Sequence, residues 1–202
     1  MTTQREGSIF TRRHGVHFQP TLTYGTLTHM AKDYDTRTRW VPIEDLHLDP
    51  ANPRLILGDG ADETALLQKL YADEALDELF PSFVENGYFE EEPLVVVPRE
   101  AGGFTVVEGN RRLATLKLLL FPDLRRAARV AGWPLLSDEA RSKLTQIPCV
   151  QYKQRQDVLS FLGFRHITGA RKWKPFQKAR FVSQLLESGQ SLDHVQTVIG
   201  DT

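Results

Sequence analysis

Cysteine is almost absent from this sequence, since Cys149 is the only one in 202 residues. A single cysteine excludes an intramolecular disulfide and a multi-cysteine zinc site, and it is compatible with a reducing compartment. The chain also lacks any apolar run of about twenty residues, which a membrane-spanning helix needs. Its N-terminus has no apolar stretch typical of an export signal. We therefore expect a cytoplasmic protein with no membrane partner.

An excess of one charge is missing as well, because 25 lysines and arginines stand against 26 aspartates and glutamates. No global positive field indicates nucleic-acid binding, so any site for an anionic ligand must be local. The histidines other than His166 show no spacing typical of a metal site. We assign no metal-ligating residue on this basis.

The pattern of residues divides the chain into three parts. Residues 1–39 are polar and include a threonine-rich patch, Thr21–His29, and we predict an N-terminal extension there. From residue 40 to residue 166, stretches with strand and helix periodicity follow one another, which indicates an α+β or mixed α/β fold. Residues 167–202 contain two further helical patterns.

The stretch VVEGNRRLATLKLL, Val106–Leu119, joins a β-branched run to a leucine-rich helical pattern, which predicts a strand that leads directly into a helix. A helix N-terminus attracts anions through its unpaired amides and its dipole, and Gly109 permits close approach of a phosphate. Arg111 and Arg112 lie in that first turn, where cations are unfavourable unless an anion compensates them. A phosphate would be such an anion. The alternative is that one arginine pairs with Glu108 and the other lies in solvent.

Three motifs, in this order, resemble the nucleotide-binding domain of the ParB/sulfiredoxin superfamily. An Asn-Pro-Arg segment follows the first predicted strand, a Glu-Pro pair opens a later strand, and the glycine-arginine turn comes next. The resemblance runs from about residue 40 to the C-terminus, and it implies a small mixed sheet flanked by helices. It also implies a nucleotide-binding domain over residues 40–166. The residues implied to bind nucleotide phosphates are Asn52, Arg54, Pro93, Gly109, Asn110, Arg111 and Arg112.

The sequence departs from the family pattern at two places. In sulfiredoxins a catalytic cysteine directly follows the motif glycine, whereas this chain has Asn110 there, so we do not expect peroxiredoxin repair. ParB proteins carry a later Glu-Asn-x-x-Arg segment that completes the site for CTP and magnesium. The equivalent stretch here is FRHITGARKWKPFQKA, Phe164–Ala179, in which the Glu-Asn pair is missing. Its loss argues against a CTP switch of the partition type.

Four more side chains are candidates for roles near the predicted phosphate site. Arg165 and His166 end a predicted helix that would face this site, where they either bind phosphate or complement the helix C-terminus. We assign Glu108 and Glu92 as candidate catalytic residues, since a carboxylate can act as a general base or a magnesium ligand. The alternative is that these glutamates cap the strands in solvent.

The last part of the chain, KPFQKARFVSQLLESGQSLDHVQTVIG, resembles the first two helices of a ParB-type helix-turn-helix. The recognition helix would follow Gly200, so we expect the chain to be part of a longer protein. Lys172, Lys174 and Lys178 are the candidate DNA-binding residues, because phosphate contacts come mainly from basic side chains. The alternative is a two-helix cap on the body of the domain.

We predict a ParB-like domain that binds a nucleoside triphosphate, CTP or ATP, together with Mg²⁺. Hydrolysis of the nucleotide is an open option. We expect nucleotide binding or hydrolysis to be coupled to DNA binding or DNA processing. Whether it is an enzyme, as an NTPase or a nuclease, stays open. A small-molecule kinase is one alternative, which an acceptor pocket at Glu44 or Glu92 would favour. A non-catalytic adaptor with a degenerate nucleotide site is another, which the missing Glu-Asn pair favours. The expected partners are a nucleotide, DNA through a region partly outside this chain and, as an open option, a second copy in a homodimer.

Overall fold

The computed structural model describes residues 34–55, 61–168 and 173–199. The threonine-rich patch Thr21–His29, the candidate DNA-binding residue Lys172 and the end of the chain at 200–202 lie outside the described residues. The first strand begins at Tyr34, within the stretch 1–39 that the sequence predicts to be an extension. The two boundaries between the three parts of the chain stay predictions.

The strands are β1 (Tyr34–Pro42), β2 (Leu46–Leu48), β3 (Leu94–Pro98), β4 (Phe104–Glu108) and β5 (Gln146–Tyr152). They form one five-stranded sheet in the order β1-β5-β3-β4-β2. The strand pairs β1/β5 and β3/β4 are antiparallel, whereas β5/β3 and β4/β2 are parallel. The predicted mixed sheet and α+β fold are therefore confirmed.

The helices are α1 (Glu63–Asp73), α2 (Phe80–Asn86), α3 (Asn110–Leu120), α4 (Pro122–Ala127), α5 (Asp138–Ser142), α6 (Leu159–Gly163), α7 (Pro175–Glu187) and α8 (Leu192–Ile199). Local signals in the sequence set several of these boundaries. The Asp62 side chain accepts a hydrogen bond from the Ala65 amide at 2.8 Å and caps α1. Pro175 begins α7, and Ser191 caps α8. None of the described helices is long and apolar enough to cross a membrane.

The segment RQDVLSFLGFRHI differs from the continuous helix that its apolar periodicity predicts. It forms a 3-10 turn at Arg155–Val158, then α6, and then a π-type turn at Phe164–Thr168. A π-type turn widens the backbone hydrogen-bond spacing and is common at functional sites. In this chain it contains Arg165 and His166.

The sheet separates two apolar cores, because neighbouring side chains on a strand point to opposite faces. Val96 and Val106 belong to a first core, which is covered by α1, α2 and α3 and is rich in leucine. Val95 and Val107 belong to a second core, which is covered by α6, α7 and α8. The β4–α3 junction, at residue 109, therefore joins a strand that contributes to both cores to a helix that contributes to the first.

Candidate functional site

The site is organised by Gly109, which joins β4 to α3. Its φ of 98° is in the left-handed region that favours glycine, and a β-carbon here would collide with the Leu94 side chain. Gly109 and the first three residues of α3 line a cavity, and within the described residues no side chain caps this helix N-terminus. The predicted strand-to-helix turn is therefore present, and glycine is required in it.

Asn110 lies at the start of α3, and only 3% of its surface is exposed. Its side-chain oxygen accepts a hydrogen bond from the Asp49 amide at 2.9 Å, and its side-chain nitrogen donates to the Val106 carbonyl at 2.6 Å. The amide therefore ties the loop after β2 to the β4–α3 junction. Although Asn110 lines the cavity, both ends of its side chain are engaged with the backbone, so it supports the geometry of the site.

Arg111 and Arg112, which the sequence singles out, are held by different partners. Arg111 donates to the Ala75 carbonyl at 2.7 Å and to a carboxylate oxygen of Glu78 at 2.9 Å. Arg112 donates to the Tyr88 hydroxyl at 2.9 Å and to the backbone carbonyl of Glu92. The same arginine lies 3.5 Å from the Glu92 carboxylate. Each guanidinium is thus fixed by at least one neutral acceptor as well as by a carboxylate.

Arg165 and His166 meet the two candidate catalytic carboxylates. His166 Nε2 lies 2.6 Å from Glu108 Oε2, and Arg165 Nε lies 3.2 Å from Glu108 Oε1. Arg165 also contacts Glu92 at 3.0 Å. The predicted grouping of these four side chains is therefore present in the structure, in a network that alternates basic and acidic side chains.

The protonation of Glu108 is set by competing effects. Burial alone would raise its pKa, but the hydrogen bond and charge of His166, together with the charges of Arg165 and Arg112, hold the pKa below its ordinary value of 4.5. Glu108 is therefore a carboxylate at neutral pH. The His166 ring also stacks on the Trp173 ring at 4.5 Å with an angle of 11° between the planes. This stacking joins the network to the segment that leads into α7.

The Asn52-Pro53-Arg54 segment forms another wall of the site. The Asn52 side chain accepts a hydrogen bond from the Arg54 amide at 2.9 Å, which shapes a turn. The Arg54 guanidinium contacts Glu74 at 2.8 Å. From α7, Gln184 donates to the Ala51 carbonyl at 2.8 Å. The turn is thus held from both sides, by the end of α1 and by α7.

These elements enclose a cleft of about 950 Å³, counting the space that opens to solvent. The lining combines arginines and their glutamate partners with apolar and aromatic side chains, and Tyr88 of the aromatic part bonds Arg112. The lining residues are Asn52, Arg54, Leu79, Ser82, Phe83, Tyr88, Phe89, Glu92, Glu108, Gly109, Asn110, Arg111, Arg112, Arg165, His166 and Trp173.

All of the residues predicted to bind phosphate or to be catalytic line this cleft, except Pro93. Pro93 lines an adjacent cavity of about 570 Å³, which shares Glu92, Glu108, Arg112 and Arg165 with the first. Sequence reasoning missed the aromatic wall and the carboxylates Glu74 and Glu78. A Tyr-Phe pair directly after the helix-ending Asn-Gly was the available signal for part of that wall. No local pattern marks the two carboxylates.

Of the candidate DNA-binding residues, Lys174 and Lys178 lie at the start of α7 and outside the cleft. Lys174 is exposed, and the Lys178 ammonium lies 3.5 Å from the Ile167 carbonyl. Lys172 is outside the described residues. The two helices predicted at the C-terminal end are present as α7 and α8.

The donor set for magnesium can be compared with these contacts. Among the described residues, no group of three histidine, cysteine, aspartate or glutamate side chains is arranged to hold a metal ion. Glu92 and Glu108, the proposed carboxylate ligands, share Arg165 as a partner. The protein side chains alone therefore do not form a magnesium site in the described part of the chain, and any ion would depend on ligand oxygens.

Comparison with known proteins gives one informative sequence match. The chain is 26% identical, over 123 residues, to a probable chromosome-partitioning protein ParB of Helicobacter pylori (strain ATCC 700392 / 26695). The match covers 61% of this chain and 33% of the relative, so it spans much less than two thirds of that protein. No family model matches the sequence.

Two solved structures of C-terminally truncated ParB from Caulobacter crescentus also align with the chain. The one complexed with CTP-gamma-S gives a TM-score of 0.40 at 20% identity, covering 82% of this chain and 72% of that one. The one complexed to the centromeric parS site gives 0.32 at 16% identity, covering 81% and 66%. The sequence match and the ordered motifs together support the resemblance to ParB proteins inferred from the sequence.

Proposed function

We propose that this domain binds a nucleoside triphosphate in the cleft and couples its binding to DNA. The observation that carries the proposal is the convergence of Arg54, Arg111, Arg112 and Arg165 at the uncapped N-terminus of α3. A helix N-terminus and arginine guanidinia both favour phosphate, and an arginine can bind it through two hydrogen bonds. The charge of the chain as a whole is near zero, so this local concentration of arginine is a specific feature.

The aromatic part of the lining supports a nucleoside, and not inorganic phosphate alone, as the ligand. Phe83 and Tyr88 stack at 5.6 Å, and Phe89 and Trp173 also line the cleft. Aromatic and apolar surface of this kind can cover a base, while the arginines hold its phosphates. The ligand would supply the phosphate groups, and the protein would supply orientation and neutralising charge.

Hydrolysis is a further part of the proposal. It needs a carboxylate near the phosphates that can orient or deprotonate water. Glu92 is 56% exposed, whereas the Glu108 carboxylate is buried and held by His166 and Arg165. Glu92 is therefore the better candidate for a base, and Glu108 is better suited to position Arg165 and His166.

The proposed DNA contact lies at α7 and α8. The relative from Helicobacter pylori is described as a chromosome-partitioning protein, which fits a role on DNA. Lys174 is exposed where α7 begins, and Lys172 and Lys178 are close to it in sequence. We propose that α7 and α8 are the first helices of a helix-turn-helix and that these lysines contact phosphates. The link to the cleft would run through Gln184 and the stacked His166 and Trp173.

The adjacent cavity favours a kinase as the second candidate function. It shares Glu92, Glu108, Arg112 and Arg165 with the nucleotide cleft and has Val95, Val150, Tyr152 and Phe161 on its other walls. A small acceptor molecule there would lie next to the phosphates, with carboxylates close enough to take a proton. The test is transfer of a labelled terminal phosphate to small hydroxyl compounds.

Thermal unfolding with and without nucleotides tests the main proposal. A ligand that binds only the folded state adds roughly 2.7 kcal/mol at a concentration of 100 times its Kd. We expect a nucleoside triphosphate to raise the melting temperature by roughly 5–10 °C at that concentration. CTP, ATP, GTP and their diphosphates would each be measured with and without Mg²⁺.

The arginine variants complete this experiment. Arg111→Ala and Arg112→Ala should each reduce nucleotide affinity by roughly 2–3 kcal/mol, the size of a charge-assisted contact. Arg126→Ala is the matched control, since Arg126 is 79% exposed and is not among the cleft residues. A folded protein that responds to no nucleotide would overturn the proposal and favour the adaptor.

A further inference from the structure

Each arginine that lines the cleft is already paired with a carboxylate. Arg54 contacts Glu74, Arg111 contacts Glu78, Arg112 contacts Glu92, and Arg165 contacts both Glu92 and Glu108. An incoming phosphate therefore meets arginines that already have anionic partners. Binding must include an exchange of anions on at least some of these arginines.

The carboxylates fall into two classes by exposure. The side chains of Glu74 and Glu108 are only 13% and 12% exposed, so they are fixed parts of the wall. Those of Glu78 and Glu92 are 72% and 56% exposed. Their partners Arg111 and Arg112 are only 19% and 16% exposed, but water solvates each released carboxylate well, so these ion pairs contribute little to stability. Glu78 and Glu92 can therefore leave at low cost, whereas Glu74 and Glu108 cannot.

The arginines would keep their positions after this exchange. Arg111 is also held by the Ala75 carbonyl, and Arg112 by the Tyr88 hydroxyl and the Glu92 carbonyl. These neutral acceptors fix the guanidinium groups without cancelling their charge. The site thus remains pre-organised for a phosphate when the Glu78 carboxylate moves into solvent and the Glu92 carboxylate releases Arg112 and Arg165, which leaves Glu92 free to act as the proposed base.

We propose that Glu78 and Glu92 are built-in competing anions that set the charge threshold of this site. They keep singly charged ions such as chloride off Arg111, Arg112 and Arg165. A polyphosphate carries enough charge and enough oxygens to replace both carboxylates at once. The proposal rests on the proposed function, because it takes the cleft to be the phosphate site, and it assigns the ligand class as a polyphosphate.

Binding of tripolyphosphate by calorimetry, in EDTA at low chloride, tests this threshold. Removing the competing charge in Glu92→Gln or Glu78→Gln should tighten tripolyphosphate binding by about threefold to fivefold, the value of one exposed ion pair. Glu139→Gln is the matched control, because Glu139 is 81% exposed, pairs with Lys143 and is not among the cleft residues. This control should leave binding unchanged.

A chloride titration adds a readout that a purely structural role would not change. Tripolyphosphate binding should fall more steeply with chloride in Glu92→Gln than in the unaltered protein, because chloride can then occupy the freed arginines. Equal or weaker binding in both glutamine variants would overturn the threshold. Weaker binding would indicate that Glu92 positions Arg112 and Arg165.

Failure of the threshold can be told apart from failure of the nucleotide proposal. If the unaltered protein binds a nucleoside triphosphate and neither glutamine variant binds tripolyphosphate more tightly, only the threshold is wrong. If the variants bind tripolyphosphate more tightly but no nucleotide binds, the threshold stands and the nucleoside is wrong. Absence of binding of either ligand to any variant would overturn both.

Discussion

The two faces of the sheet differ in what they contain. The first core consists of apolar side chains, and leucines of α1 and α3 form much of its centre. The second core is smaller. Burial of polar groups is costly unless they are hydrogen-bonded or paired, and such groups occur beside both cores. On α3, Thr115 bonds the Arg111 carbonyl and Lys117 pairs with Glu63, whereas beside the second core His166 bonds Glu108, which lines the candidate site. The first face supports the fold, and the second face connects the candidate site to α7.

A substitution that creates a cavity in the first core should have the largest effect on stability. Leu116 of α3 is fully buried there. We expect Leu116→Ala to lower the free energy of unfolding by roughly 2–5 kcal/mol through lost burial and the cavity that remains. Urea denaturation measures this change. Leu135→Ala is the control, because Leu135 is 79% exposed, and it should change stability by less than about 0.5 kcal/mol. Equal losses in the two variants would contradict the assignment of Leu116 to the core.

Loss of one of the two partners of the buried Glu108 carboxylate should have the next largest effect. Phenylalanine at position 166 can keep the ring stacked on Trp173 but removes the nitrogen that contacts Glu108. We expect His166→Phe to destabilise the protein by roughly 1–3 kcal/mol, the cost of leaving a buried polar group without its partner. His194→Phe on the exposed side of α8 is the control in the same urea measurement. No loss in His166→Phe would mean that Arg165 alone satisfies Glu108.

Local patterns were sufficient to predict the elements that form the site. The junction between β4 and α3 was predicted from a β-branched run, a glycine and a leucine-rich helical pattern. In the structure the strand ends at Glu108 and the helix begins at Asn110. The caps at Asp62 and Ser191 follow the same local logic, since each bonds an amide within its own helix. Helix and strand boundaries that depend on neighbouring residues can therefore be predicted from the sequence.

These local patterns could not predict the contacts between segments that are distant in sequence. Arg111 pairs with Glu78 across a separation of 33 residues, and Asp49 bonds Asn110 across 61. Nothing in the periodicity around either residue indicates its partner. The π-type turn at Phe164–Thr168 was missed for another reason, because its apolar spacing is similar to that of an ordinary helix. The paired state of the arginines therefore required the structure.

The smallest expected effect is on the pH dependence of stability. It distinguishes a buried carboxylate whose partners outweigh burial, Glu108, from one for which burial outweighs its partner, Asp49. His166 and Arg165 outweigh burial and lower the pKa of Glu108 from 4.5, so this carboxylate stabilises the fold above pH 4.5, where both states are charged. As pH falls from 4.5 through the lower folded-state pKa, the unfolded state binds more protons and that stabilisation is lost. Asp49 acts in the opposite direction, because burial raises its pKa despite Arg155.

Urea denaturation across the acid range should therefore compare the protein with Glu108→Gln, since both contain Asp49. The difference between them should shrink as pH falls, and a constant difference would contradict the role of Glu108.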